Sequence, residues 1–166
     1  RDVTVEGLTI STQIDRLDRL DDGRHVMIDY KSGNAQRDGW FGDRLFEPQL
    51  PLYAVCATEE PIAAVTFATL KPGELRFVGT AEDNAVMPRV KALASDPKRG
   101  EIDSWQALLA QWRIRLGQLA VEVRQGLAVV APQKNNACDW CELGDLCRIA
   151  KVEDEQPREK GSGADG

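Results

Sequence analysis

The chain has 166 residues with a formal net charge of −6, 42% hydrophobic and 29% charged, which is one domain's worth of residues and enough to bury a core. The acidity argues against a general nucleic-acid binder, which is usually basic. No apolar run approaches the roughly 20 residues needed to cross a bilayer, so no membrane association is expected.

The chain opens "RDVTVEGLTI", strand-like and without Met or leader, and is expected to be a fragment of a longer protein. Residues 3–10 and 12–20 read as two strands of a hairpin with Ser11 near its turn. Ile14, Leu17 and Leu20 are spaced by three, which also suits a helix, but turn signals on both sides favour a strand. "DDG" at 21–23 marks a second turn and "RHVMIDYK" a third strand. Residues 34–47 are polar and Gly-containing, a loop. Pro48 sits where a first helical turn begins, and "QLPLYAVCATE" follows as a helix. "PIAAVTFATL" is a continuous apolar strand of the kind buried on both faces, and "ELRFVGT" is another strand. A short helix is expected over 82–94. Residues 103–126 form the longest amphipathic helix, capped by Asp103 or Ser104 and ended at Gly126. The order β-β-β-α-β-β-α-α predicts an α/β domain around one central mixed sheet flanked by helices. The residues after about 150, "VEDEQPREKGSGADG", hold five acidic and two basic side chains and read as a disordered acidic tail, 151–166.

The chemistry concentrates in "VMIDYKSG". Side chains alternate along a strand, so Ile28 and Tyr30 face one way and Asp29 and Lys31 the other. Asp15 comes close to Asp29 if the turn at 21–23 pairs the strands in register. Asp18, three residues on, would point to the opposite face, so only one of the two can join. Two carboxylates suit a hard divalent cation, Mg²⁺ or Mn²⁺, and a neighbouring Lys can orient water or neutralise a phosphate. That is equipment for metal-assisted phosphodiester hydrolysis, and such a site is itself acidic before the ion binds. The tripeptide D-x-K taken alone also suits a surface ion pair.

"QIDRLDRLDDGRHVMIDYKSG" followed by "PQLPLYA" resembles the RecB/AddB-like branch of the PD-(D/E)XK nuclease superfamily. In that branch an Asp, a turn, a strand ending D-Y-K-[ST]-G and a helix opening Q-x-x-x-Y follow in this order. The resemblance implies a restriction-endonuclease-like core spanning residues 1–150, truncated at its N-terminus. It implies Mg²⁺ (or Mn²⁺) held by Asp15, Asp29 and the carbonyl of Tyr30, with Lys31, Gln49 and Tyr53 completing the catalytic set. The substrate implied is DNA, cut often from an end, within a DNA repair or recombination protein that partners a helicase. Gln49 and Tyr53, four apart, share one helix face: Gln is expected near the metal water and Tyr toward a phosphate or base, with an ordinary half-buried core Tyr as the alternative. The rival function is a non-catalytic nuclease-fold module that binds DNA or a partner in a helicase–nuclease complex.

Cys138, Cys141 and Cys147 follow in "ACDWCELGDLC", too tight for core packing, and suit Zn²⁺ or an iron–sulfur cluster. The resemblance favours a cluster in the intact parent, with a fourth Cys upstream. With three ligands the fragment is expected to hold it poorly or not at all. A reducing compartment, the cytoplasm, follows from this cysteine usage. Cys56 reads as a small buried hydrophobe and His25 as a surface residue. Trp105 and Trp112 read as a core stripe. Trp40 and Phe41 suit either base stacking or pinning of the loop.

Overall fold

The computed structural model describes residues 1–71, 74–129, 131–132, 138 and 141–147. The chain forms two compact units, Arg1–Gly126 and Leu127–Gly166. The expected tail, 151–166, lies outside the described residues.

The first unit begins with a two-stranded hairpin, β1 (Asp2–Val5) and β2 (Leu8–Ser11), paired antiparallel. Its turn is Glu6-Gly7, both at positive φ (47° and 76°), the geometry that matches the twist of a two-residue hairpin loop. The expected pairing of 3–10 with 12–20 around Ser11 is therefore corrected. Strand 12–20 leaves the hairpin and joins the main sheet as β3 (Arg16–Arg19).

The main sheet has five strands in the order β3-β4-β5-β6-β7. β4 (His25–Lys31) pairs antiparallel with β3 through the 21–23 turn, where the Gly23 amide donates to the Leu20 carbonyl. From β4 the chain passes through a loop and α1 (Gln49–Cys56), and returns as β5 (Ile62–Lys71), parallel to β4. Parallel neighbours need such a crossover. β6 (Glu74–Ala81) pairs antiparallel with β5, and the two-residue β7 (Lys91–Ala92) pairs parallel with the end of β6. The result is the mixed sheet with flanking helices expected of a restriction-endonuclease-like core.

The helix expected over 82–94 does not form. Asp83 turns its carboxylate onto the Ala85 and Val86 amides, a local alternative to helical bonds. Pro88 follows, Arg89 is left-handed at φ 67°, and the segment ends in β7 and a 3-10 turn, Leu93–Ser95.

Two cores flank the sheet. One holds Met27, Val65 and Phe67 against α1 and α2 (Trp105–Arg124); the other gathers Val26, Ile28, Ala64 and Ala68 with Val86 and Val90. The alternation expected of "VMIDYK" thus holds, with Met27, Asp29 and Lys31 on the helical side. Ser104 caps α2 by accepting from the Ala107 amide.

Three buried tryptophans tie the layers together, and each finds an acceptor for its indole N–H. Trp105 donates to the Ile62 carbonyl (2.6 Å), Trp112 to that of Trp40 (2.9 Å), and Trp40 to that of Glu47 (3.1 Å). Trp40 also packs on Phe67 and edge-on against Trp112. Both it and Phe41 are buried, so of the two roles expected for this loop the pair takes the structural one.

In the second unit the Cys141 amide donates to the Cys138 carbonyl (3.2 Å), and a single turn, α3 (Gly144–Cys147), follows.

The sheet leaves no room above one position. A Cβ on Gly79 would collide with the Val65 carbonyl and lie 2.6 Å from the Thr66 Cα. Backbone cannot yield as a side-chain tip can, so Gly79→Ala is expected to cost about 2–3 kcal/mol in urea denaturation. An unchanged midpoint would contradict this β5–β6 register.

Candidate active site

Asp29 stands on the last turn of pleat before β4 ends, and its side chain is 5% exposed. Every neighbour of its carboxylate has a local reason to be there. Alternation puts Lys31 on the same face, and the Lys31 Nζ lies 3.0 Å from the Asp29 Oδ2. The parallel register sets Phe67 beside Asp29, and its ring lies beneath the Lys31 ammonium, 5.2 Å from Nζ to centroid.

Gln49, the first residue of α1, bridges the pair. Its Nε2 donates to the Asp29 Oδ1 (2.7 Å) and its Oε1 accepts from the Lys31 Nζ (2.8 Å). One turn on, Tyr53 is buried, with its hydroxyl 3.4 Å from the Gln49 Nε2 and 3.5 Å from the backbone nitrogen of Gln13. Tyr53 thus packs in the core with its hydroxyl turned to Gln49.

Asp15 lies just ahead of β3, where its Oδ2 accepts from the Tyr30 amide (3.0 Å). This bond latches the segment onto the end of β4 and brings the second carboxylate to the first. Asp18 points away and pairs with Arg16 (2.7 Å) on the exposed surface. The sheet therefore makes the choice between the two aspartates that alternation required.

Burial pushes the Asp29 carboxyl above the usual range. The Lys31 ammonium opposes the shift, while the neighbouring Asp15 carboxylate adds to it through charge and direct side-chain contact. The Lys31 ammonium at 3.0 Å is the ion-pair partner of the buried Oδ2, which has no further hydrogen bond. An under-bonded buried carboxylate oxygen beside a second carboxylate is the donor chemistry that fits a hard divalent cation. The fit rests on these two oxygens with the backbone at Tyr30. Among the described residues no group of three or more His, Cys, Asp or Glu side chains is placed to hold a metal ion.

That observation bears equally on the cysteines. Cys138 and Cys141 are exposed and Cys147 is half-buried; among the described residues their thiols do not form a ligand set. Cys56 is half-buried in α1, where burial pushes its thiol pKa up, in keeping with an inert small hydrophobe.

His25 corrects the sequence reading. It is buried, 8% exposed, because its amide donates to the Pro61 carbonyl (2.8 Å) at the start of the crossover strand. Its Nδ1 lies 3.7 Å from a Glu60 carboxylate oxygen, at the opposite end of β4 from Lys31. Phe67 was the site residue that sequence reasoning did not reach, since nothing local fixes the register of a parallel pair.

A mixed sheet brings two carboxylates and an amine to one strand end of a restriction-endonuclease-like core. The chain belongs to the PD-(D/E)XK nuclease superfamily, whose family model matches residues 1–148. Comparison with curated proteins and with solved structures gave no match. Among the described residues no helix is long and apolar enough to cross a membrane.

The raised Asp29 pKa has a definite consequence for stability. The folded chain holds this proton more tightly than the unfolded chain, so stability falls as pH rises from the ordinary Asp value, about 4, through the raised one. Asp29→Asn lacks this titration. Its stability relative to wild type, from urea denaturation in metal-free buffer, is expected to grow with pH across that window. A difference that shrinks contradicts the account.

Proposed function

We propose that the chain is a divalent-metal-dependent deoxyribonuclease. The observation that carries this is the convergence of Asp15 and Asp29, from separate segments, with Lys31 on the helical side of β4. Asp15, Asp29 and the carbonyl of Tyr30 are the groups that would hold Mg²⁺ or Mn²⁺. Such an ion, when bound, supplies Lewis acidity and a water of lowered pKa.

The chain's own groups do the rest. Lys31 orients the attacking water and neutralises charge on the phosphate. Gln49 fixes the separation of Asp29 and Lys31 by touching both, and Tyr53 holds Gln49 from below. Asp29 must be ionised to take a cation, so metal affinity falls as pH drops through its raised pKa.

The finer assignment rests on motif order. Asp15, the D-Y-K-S-G ending of β4 and the Gln49/Tyr53 pair opening α1 follow the RecB/AddB-like pattern. This supports a DNA-end exonuclease within a repair or recombination protein that works with a helicase. The described cysteines add no support for an iron–sulfur cluster.

In Mg²⁺-dependent degradation of linear DNA, Asp29→Ala and Lys31→Ala are expected to lose at least about a hundredfold in rate. Asp18→Ala, which removes only a surface ion pair, is expected to retain wild-type activity. Undiminished cleavage by either site variant would refute the assignment.

A further inference from the structure

The sheet edge beyond the site carries charge of the opposite sign to the chain as a whole. β7 pairs only with Thr80 and Ala81, so the Arg76–Gly79 stretch of β6 runs on past it as the sheet's margin. Along that margin lies a groove of about 260 Å³, whose lining includes Arg37, Arg76, Arg89 and Lys91 and no acidic residue. In a chain of net charge −6, four cations at one groove are a local reversal. Arg37 is paired with the buried Asp96, and Arg76, itself partnered, stands exposed with Arg89 and Lys91.

One observation links this groove to the catalytic strand, and a second singles out Arg89. Lys31 pairs in register with Thr69, and Thr69 with Arg76. Residues in register share a face, so Lys31 and Arg76 stand on the same side, two strand spacings or roughly 10 Å apart. That is about three nucleotides of rise along a duplex. The second observation is Arg89. Its backbone sits at φ 67°, where glycine is unstrained and a residue with a Cβ is disfavoured. Stability is poorly served by arginine there, while its side chain serves the groove.

We propose that this groove holds the sugar-phosphate backbone of the DNA strand running out of the active site, with Arg76, Arg89 and Lys91 as phosphate contacts. The proposal rests on the nuclease reading for the strand's other end. The groove's contacts are to phosphates and carry no sequence preference.

The test is anisotropy of fluorescein-labelled single-stranded and duplex DNA in EDTA, where binding is read without cleavage, across a series of KCl concentrations. Combined replacement by Arg76→Gln, Arg89→Gln and Lys91→Gln is expected to weaken binding at least about tenfold. It should also reduce the slope of log affinity against log salt by about 2 on the single strand and about 2.7 on the duplex. Arg89→Gly separates ligand contact from structure: it should keep or raise the melting temperature while lowering affinity, whereas a structural arginine would lower both. Unchanged affinity and salt slope in the triple variant, an Arg89→Gly variant that binds like wild type, or a wild type that binds no DNA, overturns the groove. A wild type that binds through these residues but cleaves nothing with Mg²⁺ upholds the groove and defeats the nuclease reading, so the two failures are distinguishable.

Discussion

A carboxylate buried at the end of a strand must be compensated, and the compensation of Asp29 organises this end of the sheet. Lys31 supplies charge from the same strand face, and Gln49 supplies a donor from the start of α1. Asp15 works the other way, adding negative charge where burial already disfavours it. Evolution toward stability alone would replace such a set with apolar packing. What keeps it coherent is that each polar group is fixed by backbone: β4 by its two strand neighbours, Asp15 by the Tyr30 amide, and Gln49 by the helix that Pro48 and the crossover set in place.

The rest of the molecule holds those three segments in position. The crossover from β4 to β5 must pass through α1, so the same connection that makes the strands parallel also brings Gln49 to Asp29. The tryptophans then lock the long connection that precedes α1. Trp40 bonds to Glu47 at its far end and receives the indole N–H of Trp112 from α2. A loop of polar and glycine residues is thereby given a buried anchor, and the entry to α1 is held without contributing a residue to the chemistry. Tyr53 serves the same end from inside the core, since a buried hydroxyl beneath Gln49 restricts how that amide can turn.

Much of this was legible because it is local. The period-two pattern of "VMIDYK" put Asp29 and Lys31 on one face, the four-residue spacing put Gln49 and Tyr53 on another, and the "DDG" turn paired Asp15's segment with β4. Where the structure departs from these expectations the causes differ, two of them local and one not. The Glu6-Gly7 turn asks a glutamate to take positive φ, a weak signal beside the polar run near Ser11, so the first hairpin was drawn too long. The apolar residues of 82–94 suggested a helix, but the Asp83 side chain bonds its own neighbours and Pro88 breaks what remains. His25 and Phe67 owe their surroundings to the parallel pairing with β5, whose register no turn specifies. No local signal reaches across a crossover to fix such a register.

The central claim is that Asp15 and Asp29 jointly form one cation site, and titration calorimetry of Mn²⁺ into metal-free protein tests it most directly. A single saturable site per chain is expected in the wild type, with protons released at mildly acidic pH as the Asp29 carboxyl is forced to ionise. Both Asp15→Asn and Asp29→Asn should abolish the heat while remaining folded. Binding of wild-type strength in either variant would contradict it.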